Sequence, residues 1–122
     1  MFPKRVLLVE DDPDTREITA LLLQHAGYTV IVAHDIASGV AESEARQDFG
    51  VIVTDMYLGR GQTGISLIRS LRDSGSRTPI VLTSAHEEAS IAARDMKVLF
   101  LPKPYGRQAL LSVVAMARVC GV

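Results

Sequence analysis

The sequence predicts an α/β domain: a doubly wound, five-stranded parallel sheet with five helices shared between its two faces. Three observations lead there. Short aliphatic and β-branched runs alternate with longer windows of helical spacing, five times in succession. Strands joined by helices imply parallel pairing with right-handed crossovers. The central run, Gly50-Val51-Ile52-Val53-Thr54, has no polar residue before Thr54, as expected of a strand covered on both faces. Charged residues then stand where three of the runs end: Glu10, Asp11 and Asp12 after the first, Asp55 after the third, and Lys103 after the fifth. Ligands of such sheets bind beyond the carboxyl ends of the strands, so topology and chemistry point to one edge.

Each element has a local reason. Arg5 to Val9 reads as a buried strand. Asp12 and Pro13 suit the N-cap and first turn of a helix, which carries Ile18, Leu21, Leu22 and Ala26 on one face and stops at Gly27. Tyr28 to Ala33 is the second strand. Asp35 caps a helix from Ile36 to about Arg46, with Ala37, Val40, Ala41 and Ala45 for packing. Gly50 to Thr54 is the third strand, and Leu58 to Gly64 a loop. Ile65, Ile68 and Leu71 carry the inner face of a helix that ends before Gly75. Pro79 to Thr83 is the fourth strand, followed by a short helix from about Glu87 to Arg94. Lys97 to Leu101 is the fifth strand. Gly106 to Val119 is the last helix, with Leu110, Val113, Val114 and Ala117 inward.

Bulk properties bound the function. A chain of 122 residues suits a single domain over 1–122. Its composition, 48% hydrophobic and 22% charged, is that of an ordinary globular protein. A formal net charge of −1 offers no basic surplus for non-specific binding, so neither direct nucleic-acid contact nor membrane contact is expected. The single cysteine, Cys120, cannot form an internal disulfide, which fits a reducing compartment. The start, Met1-Phe2-Pro3-Lys4-Arg5, runs into a strand without a cleavable apolar stretch. No apolar segment approaches the ~20 residues that span a bilayer. The expected location is the cytoplasm.

Carboxylates gathered at one edge repel each other and call for a divalent cation or a raised pKa. A hard cation such as Mg²⁺ takes oxygen from one or two carboxylates and keeps the rest of its shell for water and phosphate. The edge is therefore a candidate for phosphate chemistry. The histidines His25, His34 and His86 show no metal-ligand spacing, and Arg69, Arg72 and Asp73 read as a solvated helix face.

Four motifs in order resemble the receiver domain of two-component response regulators. They are Asp11-Asp12 after the first strand, Asp55 after the third, Thr83-Ser84-Ala85 after the fourth and Lys103-Pro104 after the fifth. The resemblance covers almost the whole chain. It implies a flavodoxin-like sheet of order 2-1-3-4-5 and a required Mg²⁺. By the same resemblance Asp55 is the phosphoacceptor. Asp12 binds the cation directly, Asp11 through water, and Tyr57 through its backbone carbonyl. Ser84 hydrogen-bonds a phosphoryl oxygen, with Thr83 the alternative hydroxyl, and Lys103 pairs with Asp55 or the phosphoryl group. Phe100 matches the aromatic position that responds to phosphorylation, and Lys103-Pro104 is expected cis. The implied partners are a histidine kinase or phosphotransfer protein and an output partner or fused domain. The chain would catalyse only its own modification.

Each residue alone has a plainer reading. Asp12 could be an N-cap and no more, Glu10 and Asp11 a solvated strand end, Asp55 a turn residue and Lys103 a surface lysine. Ser84 could cap the next helix with Glu87 as its capping-box partner. Phe100 could be core. The competing functional reading is a receiver-like interaction module that is never phosphorylated. A small phosphohydrolase would need an enclosing insertion that this chain lacks. Two departures from the family stand out. Gly59 occupies a position that often holds proline, in a loop one residue longer with Gly59, Gly61 and Gly64 close together, which predicts loose backbone restriction. The stretch from Ala85 to Lys103 is a few residues short and has no glycine-containing link before the fifth strand, so the fourth helix is expected short or irregular.

Overall fold

The computed structural model describes residues 4–46 and 48–120. The reading of Met1-Phe2-Pro3 falls outside the described residues, as does the side chain of Cys120. The elements run β1 Arg5–Val9, α1 Pro13–His25, β2 Thr29–Ala33, α2 Ile36–Ala45, β3 Phe49–Asp55, α3 Gly64–Asp73, β4 Ile80–Ser84, α4 Glu88–Asp95, β5 Leu99–Pro102 and α5 Arg107–Cys120. The strands form one parallel sheet of order β2-β1-β3-β4-β5, as the resemblance implies.

Alternation along each strand splits the core in two. Leu7, Val9, Ile52 and Leu82 face one way and pack with Leu67, Ile68 and Leu71 of α3, Ala93 of α4, and Ile36 and Val40 of α2. Val6, Leu8, Val51, Val53 and Val81 face the other way and meet Leu23 of α1 and Leu110, Val114 and Ala117 of α5. Burying each such aliphatic side chain contributes about 1.5–3 kcal/mol, so β1 and β3, apolar on both faces, anchor the fold.

Helix ends follow local rules. Asp12 and Asp35 each accept a hydrogen bond from a first-turn backbone N–H, and Asp35 forms a capping box with Ser38. At the end of α1, Gly27 takes φ +98; its N–H bonds Gln24 and that of Tyr28 bonds Leu23, a Schellman closure. Gly75 at φ +93 closes α3 in the same way. At α4 the same pair of bonds forms around Lys97, which sits at φ +59 without being glycine. Lys97 therefore ends a helix instead of opening β5, and the strand starts at Leu99. As expected, α4 is short, eight residues, and it lacks a side-chain cap. Ser84 does not supply one; its Oγ accepts from the backbone N–H of His86.

Helix faces depart from expectation in three places. The buried residues of α1 are Thr19 and Leu23, while Ile18 and Leu21 are 59% and 47% exposed. The helix is turned so that Thr19 shares a hydrogen bond of 2.8 Å with the hydroxyl of Tyr105. In α2 the buried residue is Gly39, and Ala37, Ala41 and Ala45 are exposed. A Cβ at Gly39 would stand 3.3 Å from Val9 and 3.4 Å from Leu67, so close packing selects that face and Val40 fills its flank. Arg72 is not on a solvated face: its Nη1 donates to the carbonyls of Ser76 and Thr78 at 3.1 and 2.9 Å.

Candidate functional site

Strand register assembles the site. Val9 pairs with Thr54, Asp55 with Thr83, and Ser84 with Pro102. The residues just past or at these ends, Glu10, Asp55, Ser84 and Lys103, are thereby brought to one edge. The ammonium of Lys103 stands 3.0 Å from Glu10 Oε1 and 3.0 Å from Asp55 Oδ2. The Lys103-Pro104 bond is cis. Glu10 is only 2% exposed; its Oε2 accepts from the backbone N–H of Asp12 at 3.3 Å, and its carbonyl accepts from Arg16 at 2.9 Å. Asp55 Oδ1 accepts from the backbone N–H of Tyr57 at 3.4 Å.

Carboxylate oxygens of Glu10, Asp11 and Asp55 lie within 4.8 Å of one another. Asp12 stands outside this group. Its carboxylate accepts from the backbone N–H of Thr15 at 2.9 Å and from the Thr15 hydroxyl at 2.7 Å. The expectation of a direct cation ligand at Asp12 is therefore corrected: the acidic pair facing Asp55 is Glu10 and Asp11, one residue earlier. The reason is that β1 ends at Val9 and a cap must turn its side chain back onto its own helix. The Asp-Pro pair carried that signal in the sequence, because proline at the first helical position makes the preceding aspartate the cap.

Electrostatics follow from this packing. Burial pushes the Glu10 carboxyl above its ordinary value; the Lys103 hydrogen bond works against that and Asp55 adds to it. For Lys103 burial alone would lower the pKa, but hydrogen bonds and charge from Asp55 and Glu10 prevail and raise it. The Thr15 hydroxyl and backbone hold Asp12 below the usual aspartate range. Three carboxylates facing one ammonium leave negative charge uncompensated. Mg²⁺ takes oxygen donors, one or two of them carboxylates, with water and phosphate completing its shell, so the residues present fit such an ion.

The two hydroxyls differ. Thr83 donates to the Thr54 carbonyl at 3.4 Å and is buried within the sheet. Ser84 is the last residue of β4 and its Oγ meets only the N–H of His86 at 3.0 Å among the described residues. Phe100 is half-buried against the α3 side of the core. Tyr57 is 46% exposed and packs edge-on against the ring of His86, with centroids 5.3 Å apart, so the two rings span the loops on either side of Asp55.

The loop after Asp55 is more ordered than three glycines predict. Tyr57 pairs with Thr63 as an antiparallel bridge, Leu58 N–H bonds the Gln62 carbonyl, and Gln62 N–H bonds that of Gly59. Arg60 and Gly61 make the turn at φ +52 and +75, the sign a tight two-residue hairpin requires at both positions. Gly64 follows. A Cβ there would come within 2.5 Å of the Asp55 carbonyl oxygen, so only glycine fits.

Comparisons with known proteins agree with this fold. The family model described as response regulator receiver domain matches residues 6–115. The chain is 31% identical over 116 residues to the C4-dicarboxylate transport transcriptional regulatory protein DctD of Pseudomonas aeruginosa, covering 93% of this chain and 25% of that protein. It is 30% identical over 112 residues to the transcriptional regulatory protein FixJ of Azorhizobium caulinodans, covering 89% and 52%. The chain thus spans a quarter to about half the length of these relatives. The structure of the chemotaxis protein CheY4 of Vibrio cholerae superposes with a TM-score of 0.84 at 25% identity, covering 94% of this chain and 98% of that one. No described helix is long and apolar enough to cross a membrane. Relatives named as transcriptional regulators lend no support to the expectation of no nucleic-acid contact.

Proposed function

The chain belongs to the response regulator receiver domain family of two-component signalling, and from that premise we propose that it accepts a phosphoryl group on Asp55 from a phosphohistidine donor, with Mg²⁺ required. The observation that carries the proposal is the contact of Lys103 with Asp55 at the carboxyl edge of the sheet, beside the carboxylates of Glu10 and Asp11. An Asp55 oxygen attacks phosphorus, the donor's P–N bond breaks, a P–O bond forms, and the leaving imidazole takes a proton from solvent. Phosphoryl transfer asks chiefly for positioning and charge stabilisation. Glu10, Asp11, Asp55 and the Tyr57 carbonyl are the groups proposed to hold Mg²⁺, which supplies positive charge to the phosphoryl oxygens when bound. Lys103 adds its own charge beside Asp55, and Ser84 offers its hydroxyl to a phosphoryl oxygen.

The added charge, about −1.5 to −2, would draw Ser84 and its loop inward. Phe100, two residues before Pro102 and register partner of Leu82, would then take up the freed space. A local charge change biasing a bistable element is a switch. The chain acts here as one receiver unit, its chemistry is confined to its own modification, and it works in the cytoplasm. A histidine kinase or phosphotransfer protein supplies the phosphoryl group, and an output partner or fused domain reads the result. Intact-mass analysis after phosphoramidate treatment tests the proposal. One phosphoryl group is gained with Mg²⁺, and none with chelator or in Asp55→Asn. Absence of the gain in the unaltered chain with Mg²⁺ would instead favour a module that works unphosphorylated.

A further inference from the structure

Glu10 and Asp55 are each tied by hydrogen bonds: Glu10 to Lys103 and the N–H of Asp12, Asp55 to Lys103 and the N–H of Tyr57. Asp11 has no such tie. No hydrogen bond or ion pair from the described residues orients its carboxylate, yet that carboxylate is in reach of the other two. What bounds it is the bare backbone of Gly59. A Cβ at Gly59 would stand 2.9 Å from Asp11 Oδ2, closer than real Cβ atoms come. The glycine cannot readily yield. Its hairpin is closed by the Leu58–Gln62 and Gln62–Gly59 bonds and by Gly64 N–H to the Met56 carbonyl at 2.7 Å. Leu58 is buried, and Gln62 Oε1 accepts from the backbone N–H of Ile36 at 3.0 Å, which fastens the hairpin to the start of α2.

We propose that Gly59 is a positioning residue: its lack of a side chain leaves the room in which the Asp11 carboxylate turns toward Asp55 and Glu10 for cation binding. The proposal rests on the reading of this edge as a cation site. A methyl group at Gly59 displaces the Asp11 carboxylate, the movable partner in this contact, from its place beside Glu10 and Asp55, and so weakens its hold on the cation. Supporting residues of metal sites typically alter affinity by roughly 10–100-fold.

Gly61 supplies the control. It lies in the same turn at nearly the same dihedral, φ +75 against +77, but a Cβ there meets nothing within 4 Å. Gly59→Ala and Gly61→Ala thus carry the same backbone strain, and only the first loads Asp11. Gly59→Asn adds the Cβ with a residue that tolerates positive φ, so it separates steric load from misfolding. The measurement is Mn²⁺ affinity of the whole chain by electron paramagnetic resonance, without phosphodonor, with circular dichroism to check folding. Gly59→Ala and Gly59→Asn are expected to bind Mn²⁺ about tenfold or more weakly, and Gly61→Ala like the unaltered chain. On an Asp11→Asn background, Gly59→Ala is expected to add no further loss. Equal affinities for Gly59→Ala and Gly61→Ala, or a full additional loss without Asp11, overturn the positioning role while leaving the cation site standing. An unaltered chain that binds no Mn²⁺, or binds it undiminished as Asp11→Asn, overturns the site and the positioning role together.

Discussion

Single residues at this edge divide between holding the fold and holding charge, and Asp12 marks the boundary. Its carboxylate satisfies the first turn of α1 through Thr15, whereas Asp11, its neighbour, lies with Glu10 and Asp55. Asp12→Ala should therefore lower the melting temperature and leave Mn²⁺ affinity near that of the unaltered chain, while Asp11→Asn should do the reverse. Calorimetry paired with cation titration separates the two; a large affinity loss in Asp12→Ala would return it to the ligand set. The sequence made Asp55 and Lys103 legible because each follows an apolar run that could only be a strand end. It left the acidic pair one residue out of register, because three consecutive acids offer two possible pairs. Only the direction of each side chain chooses between them, and the one clue to it in the sequence is Pro13, which marks Asp12 as the cap. Asp11 and Gly59 meet by tertiary approach across the hairpin, for which no local pattern exists.

At the scale of elements, α4 shows what happens when a familiar signal is missing. The helix ends in a Schellman closure with Lys97 in the left-handed region, a conformation that costs a non-glycine residue roughly 1–2 kcal/mol. Lys97→Gly should stabilise the chain by about 1 kcal/mol in urea unfolding, net of the entropy that glycine loses on folding. Destabilisation by the substitution would contradict the assigned closure. The sequence pointed to a short helix here through the shortened stretch from Ala85 to Lys103 and its missing glycine, and the helix is indeed short. It placed Lys97 in the strand because the left-handed position is normally flagged by glycine and was not. The rotated faces of α1 and α2 have a different cause. Apolar spacing marks a stripe but cannot tell a buried stripe from an exposed one. Ile18 and Leu21 lie outside because Thr19 bonds Tyr105 and Leu23 fills the core, while α2 turns Gly39 inward because Val9 and Leu67 leave no room for a side chain.

Across the whole molecule, parallel β-α order and the burial of β1 and β3 on both faces fix the sheet, and those features were plain in the apolar runs. The sheet in turn fixes the charge at its edge, and so ties stability to pH. Glu10 has a folded pKa above its ordinary 4.5, so the folded state binds that proton more tightly than the unfolded chain. Its contribution makes stability fall as pH rises from about 4.5 through the raised folded value. Lys103, raised above 10.5, contributes stability that is complete below 10.5 and is lost as pH climbs through its folded pKa. Unfolding free energies of Glu10→Gln and the unaltered chain should therefore differ with a pH slope in the first window, the unaltered chain losing stability relative to the variant as pH increases. A difference that stays flat, or runs the other way, would mean the Lys103 contact outweighs burial at Glu10.

The most direct measurement asks where the phosphoryl group goes. Borohydride reduces an acyl phosphate on aspartate to homoserine, and peptide mass mapping then reads the position. After treatment with phosphoramidate and Mg²⁺, homoserine is expected at position 55 and nowhere else. Homoserine at another aspartate, or none despite a gain in mass, would rule out Asp55 as the phosphoacceptor.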